Sequence, residues 1–160
     1  MTYYSTPGRE NVDNTLALVK KTAEELGIDD VVVASTTGFT AKKAVEILRG
    51  TGVKLTFVGT ARERFPSDLI KELEEKGCNV CFSHEVSYDY PDPVKMAYRR
   101  FCQGLKVAVE IPMIAAQENY VSTDKDIISM GKWDTAIVIK PSTSKRFEDL
   151  MIRELICIPR

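Results

Sequence analysis

The chain has 160 residues, with 22 basic and 23 acidic side chains and a formal net charge of -1. That balance gives no global field to draw in nucleic acid or anionic membrane, so any anion it binds must be held by a local device. A chain of this length buries about two-thirds of its unfolded surface, so folding requires neither disulfide nor metal.

The first residues, Met1-Thr2-Tyr3-Tyr4-Ser5-Thr6-Pro7-Gly8, carry neither a basic start nor an apolar run of signal-peptide type. The longest apolar stretches, such as Val31 to Ala34 and Ala136 to Ile139, fall far short of the roughly 20 residues that cross a bilayer. The expectation is a cytoplasmic protein with no membrane or nucleic-acid partner.

The first strong helix spans Val12 to Leu26, with Leu16, Val19, Ala23 and Leu26 at helical spacing and Gly27 as its stop. Asp30 to Ser35 follows, a β-branched run of the kind buried on both faces of a parallel sheet. It ends in Thr36-Thr37-Gly38, and a second helix runs from about Thr40 to Leu48. Lys54 to Gly59 reads as a strand, Ser67 to Lys76 as a helix stopped by Gly77, and Asn79 to Ser83 as a strand. This alternation is the rhythm of a parallel sheet covered on both faces. Glu72 and Lys76 make an i,i+4 pair on a solvated face and carry no functional message.

Asp92-Pro93 opens a helix over Val94 to Cys102. From Leu105 two readings compete. Leu105, Val107, Val109 and Ile111 alternate with Lys106, Ala108 and Glu110 as in a strand, yet the apolar stretch continues through Ala115 towards Asn119. Pro112 inside an unkinked helix would cost roughly 3 kcal/mol, and the local pattern leaves both readings open. Asp126 to Ser129 and Thr135 to Ile139 are short strands separated by Met130-Gly131-Lys132-Trp133-Asp134, which predicts a hairpin with the last strand antiparallel. The tail from Phe147 to Ile158 reads mostly as strand. With no repeat, low-complexity tract or linker, residues 1–160 read as a single domain.

Cys78 and Cys81 form a C-x-x-C, but Cys102, Cys157 and His84 supply no second ligand pair at metal spacing. The motif also runs into a strand, whereas a thioredoxin-like motif opens a helix. Reduced thiols packed in the core, with no metal, are the expectation.

Ser35-Thr36-Thr37-Gly38-Phe39-Thr40 stands between a buried strand and a helix. Gly38 permits a tight turn, and the first N–H groups of the helix point outward with the positive end of its dipole behind them. Ser35, Thr36, Thr37 and Thr40 add hydroxyls, where ordinary capping needs only one. A phosphate seat accounts for the surplus. Neither G-x-x-x-x-G-K nor G-x-G-x-x-G is present, which disfavours nucleotide hydrolysis and an ordinary dinucleotide fold.

Ala23-Glu24-Glu25-Leu26-Gly27 followed by Val31-Val32-Val33-Ala34-Ser35-Thr36-Thr37-Gly38-Phe39-Thr40-Ala41 resembles the C-terminal domain of pyruvate kinase, where the equivalent loop holds the phosphate of a sugar-phosphate effector. Arg100-Phe101-Cys102-Gln103-Gly104-Leu105-Lys106-Val107-Ala108-Val109-Glu110-Ile111 and Asp134-Thr135-Ala136-Ile137-Val138-Ile139-Lys140-Pro141 are similar to motifs of small stand-alone proteins built from that domain only. The likeness covers nearly the whole chain. It implies an α/β three-layer sandwich, pyruvate kinase C-terminal domain-like, whose five-stranded mixed sheet has order 3-2-1-4-5 and an antiparallel last strand. It also implies a helix over 104 to 118.

In that topology the first strand is central and its C-terminal end is the switch point where open α/β sheets leave a crevice. Gly131 to Thr135 would border the same crevice. The stand-alone family is associated with FMN, which would set its ribityl phosphate on the Ser35 to Thr40 loop. The resulting candidate set is Ser35, Thr36, Thr37, Gly38, Phe39 and Thr40, with Gly59, Thr60, Ser83, His84, Gly131, Lys132, Trp133 and Thr135 around them.

Lys132 is a candidate phosphate partner. Trp133, Tyr88 and Tyr90 could stack on a flat ring, cover the core, or form a contact between copies in a homo-oligomer. Glu110 in an apolar helix could be a buried functional carboxylate or turn to solvent, and His84 fits a surface loop better than catalysis. No set of nucleophile, base and orienting group is visible, so no catalytic residue is named. Two further readings stand beside FMN binding: a flavin-dependent oxidoreductase, and a sugar-phosphate or metabolite-binding regulatory module without flavin.

Overall fold

A computed structural model describes residues 1–160. Its elements in chain order are β1 (Thr2–Tyr4), α1 (Val12–Leu26), β2 (Asp30–Ala34), α2 (Phe39–Ile47), β3 (Lys54–Gly59), α3 (Ser67–Glu75), β4 (Asn79–Phe82), α4 (Asp92–Phe101), α5 (Gln103–Gln117), β5 (Ile127–Lys132), β6 (Thr135–Lys140) and β7 (Met151–Pro159). The strands form one mixed sheet of order β1-β7-β6-β5-β2-β3-β4.

The five-stranded sheet read from the sequence is corrected to seven strands. β4, β3, β2, β5 and β6 lie in the expected order, with β6 antiparallel to β5, but the sheet continues through β7 to β1. Both extra pairings are long-range: β1 runs parallel to β7 with Thr2 opposite Cys157. Three residues in β1 are too few to show a period, and β7 shifts register twice against β6, which blurs its alternation.

β2 is central because Val31, Val32 and Val33 are fully buried, as a strand with helices on both faces requires. Val31 and Val33 join the core formed with α1, α2 and α3, while Val32 joins the core beneath α5. Gly27 ends α1 in the left-handed region at φ 64, with its N–H returning to the Ala23 carbonyl.

Residues 103 to 117 are helical, against the alternation of Leu105 to Ile111. Pro112 lies inside α5 and cannot donate to the carbonyl four residues back, that of Ala108. The Ser129 hydroxyl donates to that carbonyl at 2.7 Å in its place. A side chain from β5 thus satisfies the group that the proline leaves open.

The hairpin is tighter than its sequence spacing suggests. β5 runs on to Lys132, so only Trp133 and Asp134 form the turn, and the register slips between Met130 and Lys132. At that slip Gly131 lies directly under α5, where an added Cβ would strike the Gly104 carbonyl and the Ala108 backbone. No helix is long and apolar enough to cross a membrane.

Candidate functional site

A cleft of about 660 Å³ opens at the C-terminal end of β2. Its walls come from the ends of β2, β3, β4 and β5 and from one face of α5. This is the crevice position that open α/β sheets provide where strand order reverses.

The first wall is the turn from β2 into α2. Gly38 adopts φ 84 and is buried, and an added Cβ would meet a methyl of Leu69. Backbone freedom and close packing both demand glycine there. The Ser35 hydroxyl accepts a 3.2 Å hydrogen bond from the Ala41 N–H, which caps the helix start and leaves its own O–H free to donate. The N–H groups of Thr36, Thr37, Gly38, Phe39 and Thr40 make no hydrogen bond within the protein, nor do the hydroxyls of Thr36, Thr37 and Thr40. The Ser35 amide is spent on the Val58 carbonyl and that of Ala41 on the Ser35 hydroxyl; the five between them are open.

Three cations share the cleft with these amides. The Arg9 guanidinium sits 3.4 Å from the centre of the Phe39 ring, and the N–H of its neighbour Gly8 donates to buried Asp134 at 3.0 Å. The hairpin thereby ties the N-terminal segment to the rim of the cleft. Arg64 follows β3, and Lys132 lies beside Trp133, its ammonium 5.2 Å from the ring centre. None of these three pairs with a carboxylate.

Beside the loop, the backbone carbonyl of Thr60 accepts from the His84 N–H at 3.0 Å and from the Ser83 hydroxyl at 3.2 Å. The Thr60 hydroxyl itself has no partner, although it is screened from solvent. Gly59 also lines the cleft, and a Cβ there would come within 2.8 Å of the Phe82 ring. Val58, Val107, Ile111 and Ile114 form an apolar strip, with Tyr88 and Trp133 also on the wall.

The α5 wall carries Lys106 and Glu110. The Lys106 ammonium pairs with Glu110 Oε2 at 2.5 Å, and the Tyr90 hydroxyl donates to Glu110 Oε1 at 3.2 Å. Their side chains are only 14% and 7% exposed, and every other ion pair has at least one more open partner. Burial, reinforced by the Glu110 charge, pushes the pKa values of Tyr90 and Tyr88 upward.

Of the residues expected at the crevice, Ser35, Thr36, Thr37, Phe39, Thr40, Gly59, Thr60, Ser83, Gly131, Lys132 and Trp133 meet at the cleft. Three do not line it. Gly38 is packed behind the turn, and the His84 side chain is exposed on the short 3-10 turn after β4. Thr135 is buried under the first turn of α5, its hydroxyl 3.2 Å from Asp134 Oδ1 and 3.5 Å from the Cys102 sulfur. Cys102 in turn caps α5 by accepting from the Leu105 N–H, so Thr135 belongs to the joint between helix and hairpin.

Arg9, Arg64, Gln103 and Lys106 line the cleft but escaped the sequence reading. For Lys106 a signal existed: Lys106 and Glu110 stand four apart in an otherwise apolar segment, a shared face once that segment is helical. Arg9 and Arg64 carry no local signal. The cysteines are free and scattered, and burial pushes the Cys81 thiol up to about 12. No protein-family model matches the chain.

Proposed function

We propose that the cleft binds a phosphorylated small molecule, with its phosphate on the amides of Thr36 to Thr40, and that FMN is the leading candidate. The supporting observation is the run of uncommitted N–H groups and threonine hydroxyls flanked by unpaired Arg9 and Arg64. A dianion there gains from the α2 dipole, worth about 0.3 to 1 kcal/mol, and from charge-assisted hydrogen bonds of about 1.5 to 3 kcal/mol each. The 660 Å³ volume falls within the range of about 300 to 1,000 Å³ that suits small-ligand clefts.

The choice of FMN rests on the resemblance to stand-alone pyruvate kinase C-terminal-domain proteins. The apolar strip of Val58, Val107, Ile111 and Ile114, with Trp133 and Tyr88 nearby, suits a flat ring system. A bound flavin would supply electron transfer, which makes an oxidoreductase the neighbouring reading; a metabolite-binding regulatory module needs the phosphate seat alone.

Thr37→Ala combined with Thr40→Ala tests the seat. Calorimetric titration with inorganic phosphate and with FMN should show affinity weakened roughly tenfold and the melting temperature nearly unchanged. Equal affinity in parent and variant would remove phosphate from this loop. Flavin absorption bands in the purified protein, or on adding FMN, support the flavin reading; a protein that takes up phosphate esters but no flavin leaves the regulatory module.

A further inference from the structure

The Lys106 and Glu110 pair has no evident structural need. A buried ion pair seldom out-stabilises apolar residues of the same volume, because desolvating both charges offsets most of their attraction. Leucine or methionine at both positions would continue the apolar face of α5. The pair instead stands in the cleft wall, apart from the phosphate turn and joined to the same cavity by Val107 and Ile111.

Its hydrogen-bonding capacity is only partly used. The Lys106 ammonium has three donors and one carboxylate partner. Each Glu110 oxygen has one partner, Tyr90 or Lys106, and retains further acceptor capacity. Tyr90 is held in place by stacking on Phe147 at 5.1 Å, so the carboxylate is fixed from behind. A donor and an acceptor are thus presented side by side on a rigid helix, next to an apolar strip.

We infer that Lys106 and Glu110 form a second recognition pole that selects ligands whose non-phosphate part carries an adjacent hydrogen-bond acceptor and donor, as a cyclic imide does. This deepens the phosphate-binding reading and rests on it: the turn holds the anion, and the α5 pole chooses among the molecules that carry one. A site built to hydrogen-bond such a group also rejects analogues lacking it, because the pole would then be buried against apolar atoms with its capacity unmet.

The test compares four phosphate probes by calorimetry: inorganic phosphate, glycerol 3-phosphate, UMP and FMN. The last two carry an imide at different reach from the phosphate. The variants are Lys106→Met, and Lys106→Met with Glu110→Met, which leaves no lone buried charge and keeps the fold testable if the single change fails to melt normally. In the parent, UMP or FMN should bind roughly tenfold or more tightly than glycerol 3-phosphate, as a hydrogen bond to a charged group implies. That surplus should fall about tenfold in the variants, leaving only what the ring gains from the apolar strip, while inorganic phosphate and glycerol 3-phosphate bind unchanged. No surplus in the parent, or a surplus undiminished in the double variant, overturns the second pole and leaves the phosphate seat standing. If the parent binds no phosphate probe but holds uridine or riboflavin in a Lys106-dependent way, the phosphate seat alone is wrong; if it binds none of the six, both fall.

Discussion

At the N-terminal end of β2, Asp29 and Asp30 share the Lys125 ammonium at 2.7 and 2.6 Å, and Asp126 pairs with Arg153 at 3.1 Å. At the C-terminal end of the same strand, Arg9, Arg64 and Lys132 stand around open amides with no carboxylate to answer them. The sheet therefore satisfies its charges internally at one end and leaves hydrogen-bonding and charge capacity unspent at the other. If the cleft binds as proposed, changes at the two ends of this strand should have separable effects on stability and on affinity.

The largest effect is expected where the cleft end is itself structural. Gly131→Ala would drive a methyl group into the Gly104 carbonyl and the Ala108 backbone, and helix and strand cannot part without breaking the Ser129 contact. Destabilisation of about 3 kcal/mol should appear as a lower urea midpoint. A neutral outcome would mean that α5 is free to lift and that the cleft wall is softer than described.

Next in size is Lys125→Met at the opposite end. It leaves the Asp30 carboxylate buried beside Asp29 without a cation. Because Lys125 is 43% exposed, solvent screening reduces the loss to about 1 kcal/mol. Inorganic phosphate affinity should stay at the parent value; a fall in it would show that the two ends are coupled.

Alkaline titration gives the smallest effect at neutral pH. Burial raises the Cys81 thiol from 9.0 to about 12 and the Tyr4 phenol from 10.0 to about 12. Both folded values lie above the unfolded ones, so these groups contribute in full below pH 9.0 and lose that contribution as the pH climbs towards 12. The Lys125 ammonium, raised chiefly by its hydrogen bond to Asp29, acts with the same sign only above 10.5. Melting temperature should be level up to about pH 9 and then decline, and Tyr4→Phe should soften the decline. A decline that begins near neutrality would point to a different titrating group.

Much of the fold could be read locally. The unbroken run Val31 to Val33 marks a strand covered on both faces, and the whole of α1 from Val12 to Gly27 follows from spacing and a glycine stop. The strand, turn and helix around Gly38 likewise identify one wall of the cleft, since a helix start leaves its own amides open whatever packs elsewhere. Near neighbours along the chain decide such features, and the sequence displays them directly.

What lay across the chain was decided only in three dimensions. The order of apolar residues could not settle α5, because the group that makes Pro112 tolerable is Ser129 on another element. Thr135 looked like a cleft residue and is a buried joint, while Arg9 carries no local signal yet reaches the turn after β2, packed over Phe39 and tethered through its neighbour Gly8 to Asp134. β1 and β7 pair with partners their own composition does not announce. Residue pattern specifies which face of an element is apolar; which distant backbone or charge meets that face depends on the packing of the whole sheet.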